Sequence, residues 1–288
     1  MTQALRLAQQ GIGHCAPNPT VGCVIEKNNQ IIGLGRTAKG GRPHAETEAL
    51  KMAGENARGA TLYVTLEPCS HHGKTPPCAE AIINAGIARV VIACRDPNPQ
   101  VNGNGIALLQ KNNIEIIEGI GEAEAIEINR GFFSRMLRRR PWVILKTATS
   151  ADGFIAKADG SSKWITGETA RRHGHLLRAK NDAILTGSGT YLFDQPQLNV
   201  RIAGLEETSP ARYVLDRRGR IEESEFTILN DASLEAMLTH MAEEGVNHLM
   251  VEAGAELSAA FLRAGLVDEI YWYRAPTLLG EGITAFHG

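Results

Sequence analysis

Two α/β domains in tandem are predicted for this chain, and three observations predict them. Its 288 residues are enough to bury two separate cores. In each half, short apolar runs alternate with segments whose apolar residues recur at helical spacing, the order that builds a sheet with parallel neighbours covered by helices on both faces. Between the halves stands a basic run, Arg135, Arg138, Arg139 and Arg140, closed by Pro141, which divides the chain into 1–140 and 141–288.

The first half opens with a helix over Thr2 to Gln10, ended by Gly11. Pro17-Asn18-Pro19 is a rigid extended link, because each residue before a proline is pushed out of the helical region. Val21 to Glu26 and Ile31 to Gly35 form a hairpin around Asn28-Asn29. The alternation then runs helix from Ala45, strand Thr61 to Leu66, helix from Cys78, strand Arg89 to Ala93, helix from about Gly105, strand Ile114 to Ile117. A helix beginning near Glu122 ends on the basic run, where cations suit the helix dipole as a solvated cap. In the second half a strand from Trp142 to Thr147 precedes a helix over Glu168 to Lys180 and strands Ala183 to Thr186 and Arg212 to Leu215. A helix Leu234 to Glu243, strand His248 to Val251, helix Ala255 to Ala264 and strand Glu269 to Tyr273 complete the series.

Composition excludes several classes of function. A hydrophobic share of 43% and a charged share of 22% are ordinary for a soluble globular protein. A net charge of −2 and an aromatic share of 5% give neither the long-range attraction nor the stacking surface that nucleic acid needs. No apolar run is long enough to span a bilayer. The five cysteines, Cys15, Cys23, Cys69, Cys78 and Cys94, are odd in number, scattered and preceded by no secretory signal, so they read as thiols of a cytoplasmic protein. Cys15, Cys23 and Cys94 read as small buried hydrophobes.

His44, Cys69 and Cys78 are different. One imidazole and two thiolates are the three protein ligands of a catalytic zinc whose fourth position is left for water. Glu46, two residues past the histidine, is placed to move protons without ligating. The pattern fits the H-x-E…P-C-x-x-C signature of zinc nucleobase deaminases, with one departure: eight residues, Ser70 to Pro77, separate the cysteines instead of two. A structural zinc closed by His71 or His72 is the alternative. His44 and Cys78 both fall at helix starts, where partial positive charge favours a thiolate. In the loop, His71 and Lys74 add positive charge that a phosphorylated substrate would use, although a solvated surface loop would carry the same residues. Asp96-Pro97-Asn98-Pro99 follows the C-terminal end of a strand, where α/β proteins bind ligands; it is also good turn chemistry. In the second half, Thr186-Gly187-Ser188-Gly189-Thr190 and the strand–Gly254–helix junction could receive phosphates, yet neither matches G-x-G-x-x-G.

Pro17-Asn18-Pro19, His44-Ala45-Glu46, the run Glu67 to Cys78 and Asp96-Pro97-Asn98-Pro99 together resemble the bacterial bifunctional riboflavin-biosynthesis deaminase/reductase family. The resemblance continues through Lys146, Ser150-x-Asp152-Gly153, Trp164-Ile165-Thr166, Leu177-Arg178-Ala179, Val251-Glu252-Ala253-Gly254 and Ala275-Pro276 to Gly280. It implies a cytidine-deaminase-like α/β/α sandwich followed by a dihydrofolate-reductase-like α/β domain. The implied cofactors are zinc and NADPH, and the implied substrate is 2,5-diamino-6-ribosylamino-4(3H)-pyrimidinone 5′-phosphate. It also implies a homo-oligomer joined through the reductase half. By the same resemblance Asn18, His71, Lys74, Asp96 and Asn98 would contact the deaminase substrate. Ala148, Trp164, Thr190, Asp194, Arg217, Gly254, Ala255 and Glu256 would line the nicotinamide cofactor, although Arg217 stands where a small polar residue is usual. Lys146, Ser162, Arg178, Leu198, Arg201 and Glu252 would line the reductase substrate, the two arginines as phosphate clamps. His173 and His175 read as solvated helix residues without a role. Since Gly288 follows soon after Leu279-Gly280, the reductase sheet is expected to lack its closing strands. Two rival readings remain: a single-activity zinc nucleotide deaminase with a non-catalytic second domain, and a zinc-stabilised nucleotide-binding module.

Overall fold

The structure, a computed structural model, describes residues 1–288 apart from 72–75, 100, 163–164 and 287–288. The chain divides into two compact units, Met1–Arg138 and Arg139–Gly288. In the first, α1 (Thr2–Gln9) leads into the hairpin β1 (Gly22–Lys27) and β2 (Gln30–Arg36), followed by α2 (Ala45–Ala53), β3 (Thr61–Leu66), α3 (Cys78–Asn84), β4 (Arg89–Cys94), α4 (Asn104–Lys111) and β5 (Glu115–Glu118). The sheet order is β2-β1-β3-β4-β5, with β3, β4 and β5 parallel and β1 antiparallel to both its neighbours. Asn28 and Asn29 both take positive φ, the two-residue turn that suits the right-handed twist of paired strands.

Helices α1 and α5 (Glu122–Ile128) pack on one face of this sheet, and α2, with α3 and α4 beside it, on the other. Glycine permits the close approach. A Cβ on Gly22 would meet the Ala4 carbonyl of α1 at 1.9 Å, and one on Gly35 would meet the Ala45 carbonyl of α2 at 2.0 Å. The first turn of α2 is thereby pressed onto β2, and that turn carries the predicted metal and proton chemistry.

The single helix expected from Glu122 to the basic run is instead two, α5 and α6 (Arg130–Arg138). The break falls at Asn129, whose buried amide pairs with both the N–H and the C=O of Thr20, at 2.9 and 3.0 Å. Nor is the basic run simply a solvated cap. Arg135 donates to the Pro17 carbonyl at 2.6 Å, and Arg140 makes a two-pronged bond to Asp268 at 2.6 and 2.8 Å.

The second unit is a six-stranded sheet, all parallel, ordered β10-β9-β8-β11-β6-β12. Its elements are β6 (Trp142–Thr149), β7 (Phe154–Ala156), α7 (Glu168–Ala179), β8 (Ala183–Gly187), α8 (Ser188–Asp194), β9 (Ala211–Leu215), β10 (Thr227–Leu229), α9 (Leu234–Glu243), β11 (His248–Val251), α10 (Ala255–Arg263), β12 (Glu269–Arg274) and β13 (Ile283–Thr284). Alternate residues of the central strands enter different cores, as a sheet covered on both faces requires. Leu185 and Val251 join Met237, Met241 and Phe261, whereas Ile184 and Met250 join Leu177 and Val214. The short elements β7, α8, β10 and β13 were not expected; of the glycine loop read over Thr186 to Thr190, Ser188 to Thr190 are the first turn of α8.

Replacing Gly35 by alanine should destabilise the first unit by about 1–3 kcal/mol, because the neighbour that must yield is helix backbone. Chemical denaturation of the full chain should show the first unit's midpoint falling while the second unit's transition stays in place.

Candidate active sites

In the first unit, three predicted ligands arrive from three elements. His44 is the residue capping the start of α2; its backbone is extended, with φ −73° and ψ 157°, and its side chain accepts no capping hydrogen bond. Cys78 is the first residue of α3, and Cys69 follows the end of β3 by three residues. The His44 Nδ1 lies 3.2 Å from the Cys78 Sγ and 3.7 Å from the Cys69 Sγ, and the Cys78 amide donates to the Cys69 Sγ at 3.3 Å. All three donor atoms fall within 4.8 Å of one another. Zinc–nitrogen and zinc–sulfur bonds of ordinary length at a tetrahedral angle put nitrogen and sulfur roughly 3.5 Å apart, so the donor set fits a zinc ion.

Glu46 is 4% exposed in the first turn of α2. Burial pushes its carboxyl up to about 7, against the pull of His44 in the other direction. The sulfurs share hydrogen bonding: Cys69 is drawn well below the usual thiol range by hydrogen bonds from Cys78 and His44, and Cys78 is driven up by Cys69 and by burial. His44 is raised chiefly by its bond to Cys69. Cys15, Cys23 and Cys94 are buried, as expected.

Of the predicted substrate residues, Asp96 is buried, and burial raises its carboxyl to about 6. Its Oδ1 accepts from the Asn98 amide at 2.8 Å, so Asp96 and Asn98 form one tight turn after β4. Asn18 is half-buried against Gly41, where any Cβ would strike the Asn18 amide. His71 is exposed. Lys74 and His72 lie outside the described residues.

In the second unit a cavity of about 1180 Å³ opens at the C-terminal ends of the parallel strands, the expected position in such sheets. Lys146 and Ala148 from β6, Thr190 and Asp194 from α8, and Gly254, Ala255 and Glu256 at the start of α10 all line it. So do Ser162, Arg178, Leu198, Arg201, Arg217 and Glu252. Every predicted reductase residue is therefore gathered there except Trp164, which lies outside the described residues. The Thr190 hydroxyl accepts from the Gly254 amide at 3.1 Å and fixes the junction ahead of α10. Leu198 holds φ at +49°, an uncommon backbone state for leucine.

Glu252 is the charge centre of this cavity. Lys146 donates to it at 2.9 Å, and Arg178 reaches it through Nε and Nη2 at 2.9–3.1 Å. Burial alone would raise the Glu252 carboxyl, but the two cations more than reverse this and hold it at about 2. Arg178 is thus engaged inside the protein, whereas the Arg201 side chain donates, among the described residues, to the neutral groups of Gln197 and Asn199. His173 and His175 are not simply solvated. The His173 Nδ1 lies 2.6 Å from the hydroxyl of Tyr273, a cavity residue, and His175 lines the cavity with Nδ1 3.1 Å from the Asn199 carbonyl. Arg218 and Arg220, also on the lining, had no local signal beyond their charge.

A His–Cys–Cys donor set with a buried glutamate, followed by a parallel sheet with a large cavity at its strand ends, defines a zinc-dependent deaminase joined to a reductase domain. The family model for the cytidine and deoxycytidylate deaminase zinc-binding region matches residues 1–94, and that for the RibD C-terminal domain matches residues 141–288. The riboflavin biosynthesis protein RibD of Escherichia coli is 43% identical, with 98% of this chain and 88% of that protein covered. Its counterpart from Aquifex aeolicus is 41% identical, covering 99% and 88%. Among solved structures, Acinetobacter baumannii RibD matches with a TM-score of 0.94 and 43% identity, over 100% of this chain and 89% of that one. A diaminohydroxyphosphoribosylaminopyrimidine deaminase/5-amino-6-(5-phosphoribosylamino)uracil reductase from Thermotoga maritima matches with a TM-score of 0.90 and 38% identity, covering 99% and 88%. The chain belongs to the RibD family of bifunctional riboflavin-biosynthesis enzymes.

Since its folded pKa lies below the ordinary 4.5, Glu252 contributes stability that is present above about pH 4.5 and lost as pH falls through about 2. Glu252→Gln should therefore cost up to about 3 kcal/mol at neutral pH, a penalty that shrinks toward zero between pH 4.5 and 2. Denaturation midpoints of both proteins across that range read it directly; a penalty independent of pH would contradict the ion-pair account.

Proposed function

We propose that the first unit removes the ring amine of 2,5-diamino-6-ribosylamino-4(3H)-pyrimidinone 5′-phosphate and that the second reduces the ribosyl group of the product to ribityl. The observation that carries this reading is the convergence of His44, Cys69 and Cys78 within 4.8 Å beside a buried Glu46. The name of the Thermotoga maritima relative supports the substrate assignment.

Zinc held by His44, Cys69 and Cys78 would supply a Lewis acid that makes water a nucleophile near neutral pH. Glu46 has the proton work. With a carboxyl raised by burial to about 7, it can take a proton from the attacking water and give it to the ring nitrogen, then take the proton of the added hydroxyl and give it to the amine, which leaves as ammonia. Asn18, His71, Lys74, Asp96 and Asn98 would hold the pyrimidine and its phosphorylated sugar. In the second unit NADPH would supply the hydride. Ala148, Trp164, Thr190, Asp194, Arg217 and residues 254–256 would orient the cofactor against the sugar. Glu252 holds Lys146 and Arg178 at the cavity wall, Arg201 would take the phosphate, and Ser162 and Leu198 would shape the sugar subsite.

The protein is further proposed to act in the cytoplasm as a homo-oligomer joined through the reductase half. Exposed Ile270 and Trp272 on the edge strand β12 support such a joining, and no helix among the described residues is long and apolar enough to cross a membrane.

Glu46→Gln is expected to retain one zinc per chain and lower the deamination rate by about 100-fold or more, while NADPH-dependent reduction of the deaminated substrate continues. Simultaneous loss of both activities would count against separate sites. Stripping the metal with a chelator should abolish deamination and leave circular dichroism and reduction intact; unfolding of the first unit would mark the zinc as structural instead.

A further inference from the structure

Glu67 takes no part in the chemistry assigned so far, yet it is 3% exposed and carries a carboxylate. It stands directly before Pro68 and Cys69, and its own amide donates to the Cys94 carbonyl at 3.0 Å, continuing the pairing of β3 with β4. Its side chain collects four backbone N–H groups. Oε1 accepts from Gly105 at 3.0 Å and Ile106 at 3.3 Å, and Oε2 accepts from Gly103 at 3.0 Å and Asp96 at 3.4 Å. Gly105 and Ile106 belong to the first turn of α4, which is seated directly on the ligand turn: a Cβ on Gly105 would lie 2.0 Å from the Pro68 carbonyl. One buried side chain therefore binds together the turn bearing Cys69, the start of α4 and the turn bearing Asp96 and Asn98.

The residue type matters. A carboxylate offers two oxygens with about four acceptor sites and no donor, so it can serve four N–H groups at once. A glutamine in the same place would turn an NH2 toward half of them. An apolar residue would leave all four unpaired inside the protein. The Asp96 amide is the weakest of the four bonds and the one that leads to the substrate pocket, since Asp96 in turn holds Asn98 through its Oδ1.

We infer that Glu67 is a positioning residue for the deamination: through the Asp96 amide it sets the Asp96–Asn98 turn at a fixed distance from the Cys69 turn, so that the ring amine meets the metal site in one pose. The inference rests on the reading of Asp96 and Asn98 as substrate contacts.

The test uses the full-length, zinc-loaded enzyme carrying Glu67→Gln, Asp96→Asn, or both. Glu67→Gln should keep one zinc per chain and normal reductase kinetics, and raise the deaminase KM by about tenfold with a smaller change in kcat. Amide hydrogen exchange should quicken at Asp96 and Gly103 and stay unchanged along β3 and β4. The double variant should be no worse than Asp96→Asn alone, because Glu67 acts through that residue. Losses that multiply, an unchanged KM, or loss of zinc together with loss of fold would each overturn the inference. If Asp96→Asn itself leaves deamination intact, the substrate reading of Asp96 fails and takes the inference with it. If Asp96→Asn is defective and the losses still multiply, the inference alone fails.

Discussion

A carboxyl that is only 4% exposed, set beside two sulfurs, is the constraint on which the first unit depends. Burying an anion is unfavourable unless something positive or a set of donors meets it. Here the thiol of Cys69 is drawn toward its anionic form, Glu46 is driven toward its neutral one, and Cys78 is driven to keep its proton. The starts of α2 and α3 contribute partial positive charge, but a macrodipole end is worth only about half an elementary charge. A divalent cation at the point where Nδ1 and the two Sγ atoms converge supplies the remainder. It would also let both sulfurs bind as thiolates, and under the proposed function Glu46 beside them carries the protons.

The second unit meets the same difficulty with internal charge. Glu252 occupies a comparable place, at the mouth of a parallel sheet and largely covered, yet its carboxyl sits at about 2 because Lys146 and Arg178 are both within 3.1 Å. A carboxylate fixed in that way is poorly suited to carrying protons at neutral pH, and well suited to holding two cations in place. The contrast separates the two sites by role. Glu46, raised by burial, fits the proton carrier of the proposed function, whereas Glu252, held low by Lys146 and Arg178, fits a fixed anchor for those cations.

How much of this could be read from the sequence follows the range of the interactions. His44, Glu46, Cys69 and Cys78 were legible because their spacing, the helix starts at Ala45 and Cys78, and the prolines before His44 and Cys69 are local signals. The parallel sheets were legible because strands such as Ala183–Gly187 and His248–Val251 are apolar on both faces. What escaped depends on partners distant in sequence. Asn129 breaks a helix to bind Thr20, 109 residues away, and Arg140 finds Asp268 across 128 residues. Among the described residues β7 pairs with β13, Ala156 against Ile283, 127 residues on. Arg178 was legible as a useful cation, but its commitment to Glu252, 74 residues on, was not.

Glu67 shows where motif reading stops. It was in view as the first residue of Glu67-Pro68-Cys69, and nothing in that tripeptide says what its carboxylate does. Its four donors come from Asp96, Gly103, Gly105 and Ile106, up to 39 residues away, and every one is a backbone N–H that no side-chain pattern records. A cysteine ligand fixed only by its own strand would be free to shift along with that strand's end. Tying the same turn to a helix start and to the Asp96–Asn98 turn joins the metal ligands and those residues in one hydrogen-bonded piece. In a reaction that requires water and ring carbon to meet at bonding distance, that connection is what the three ligands alone do not provide.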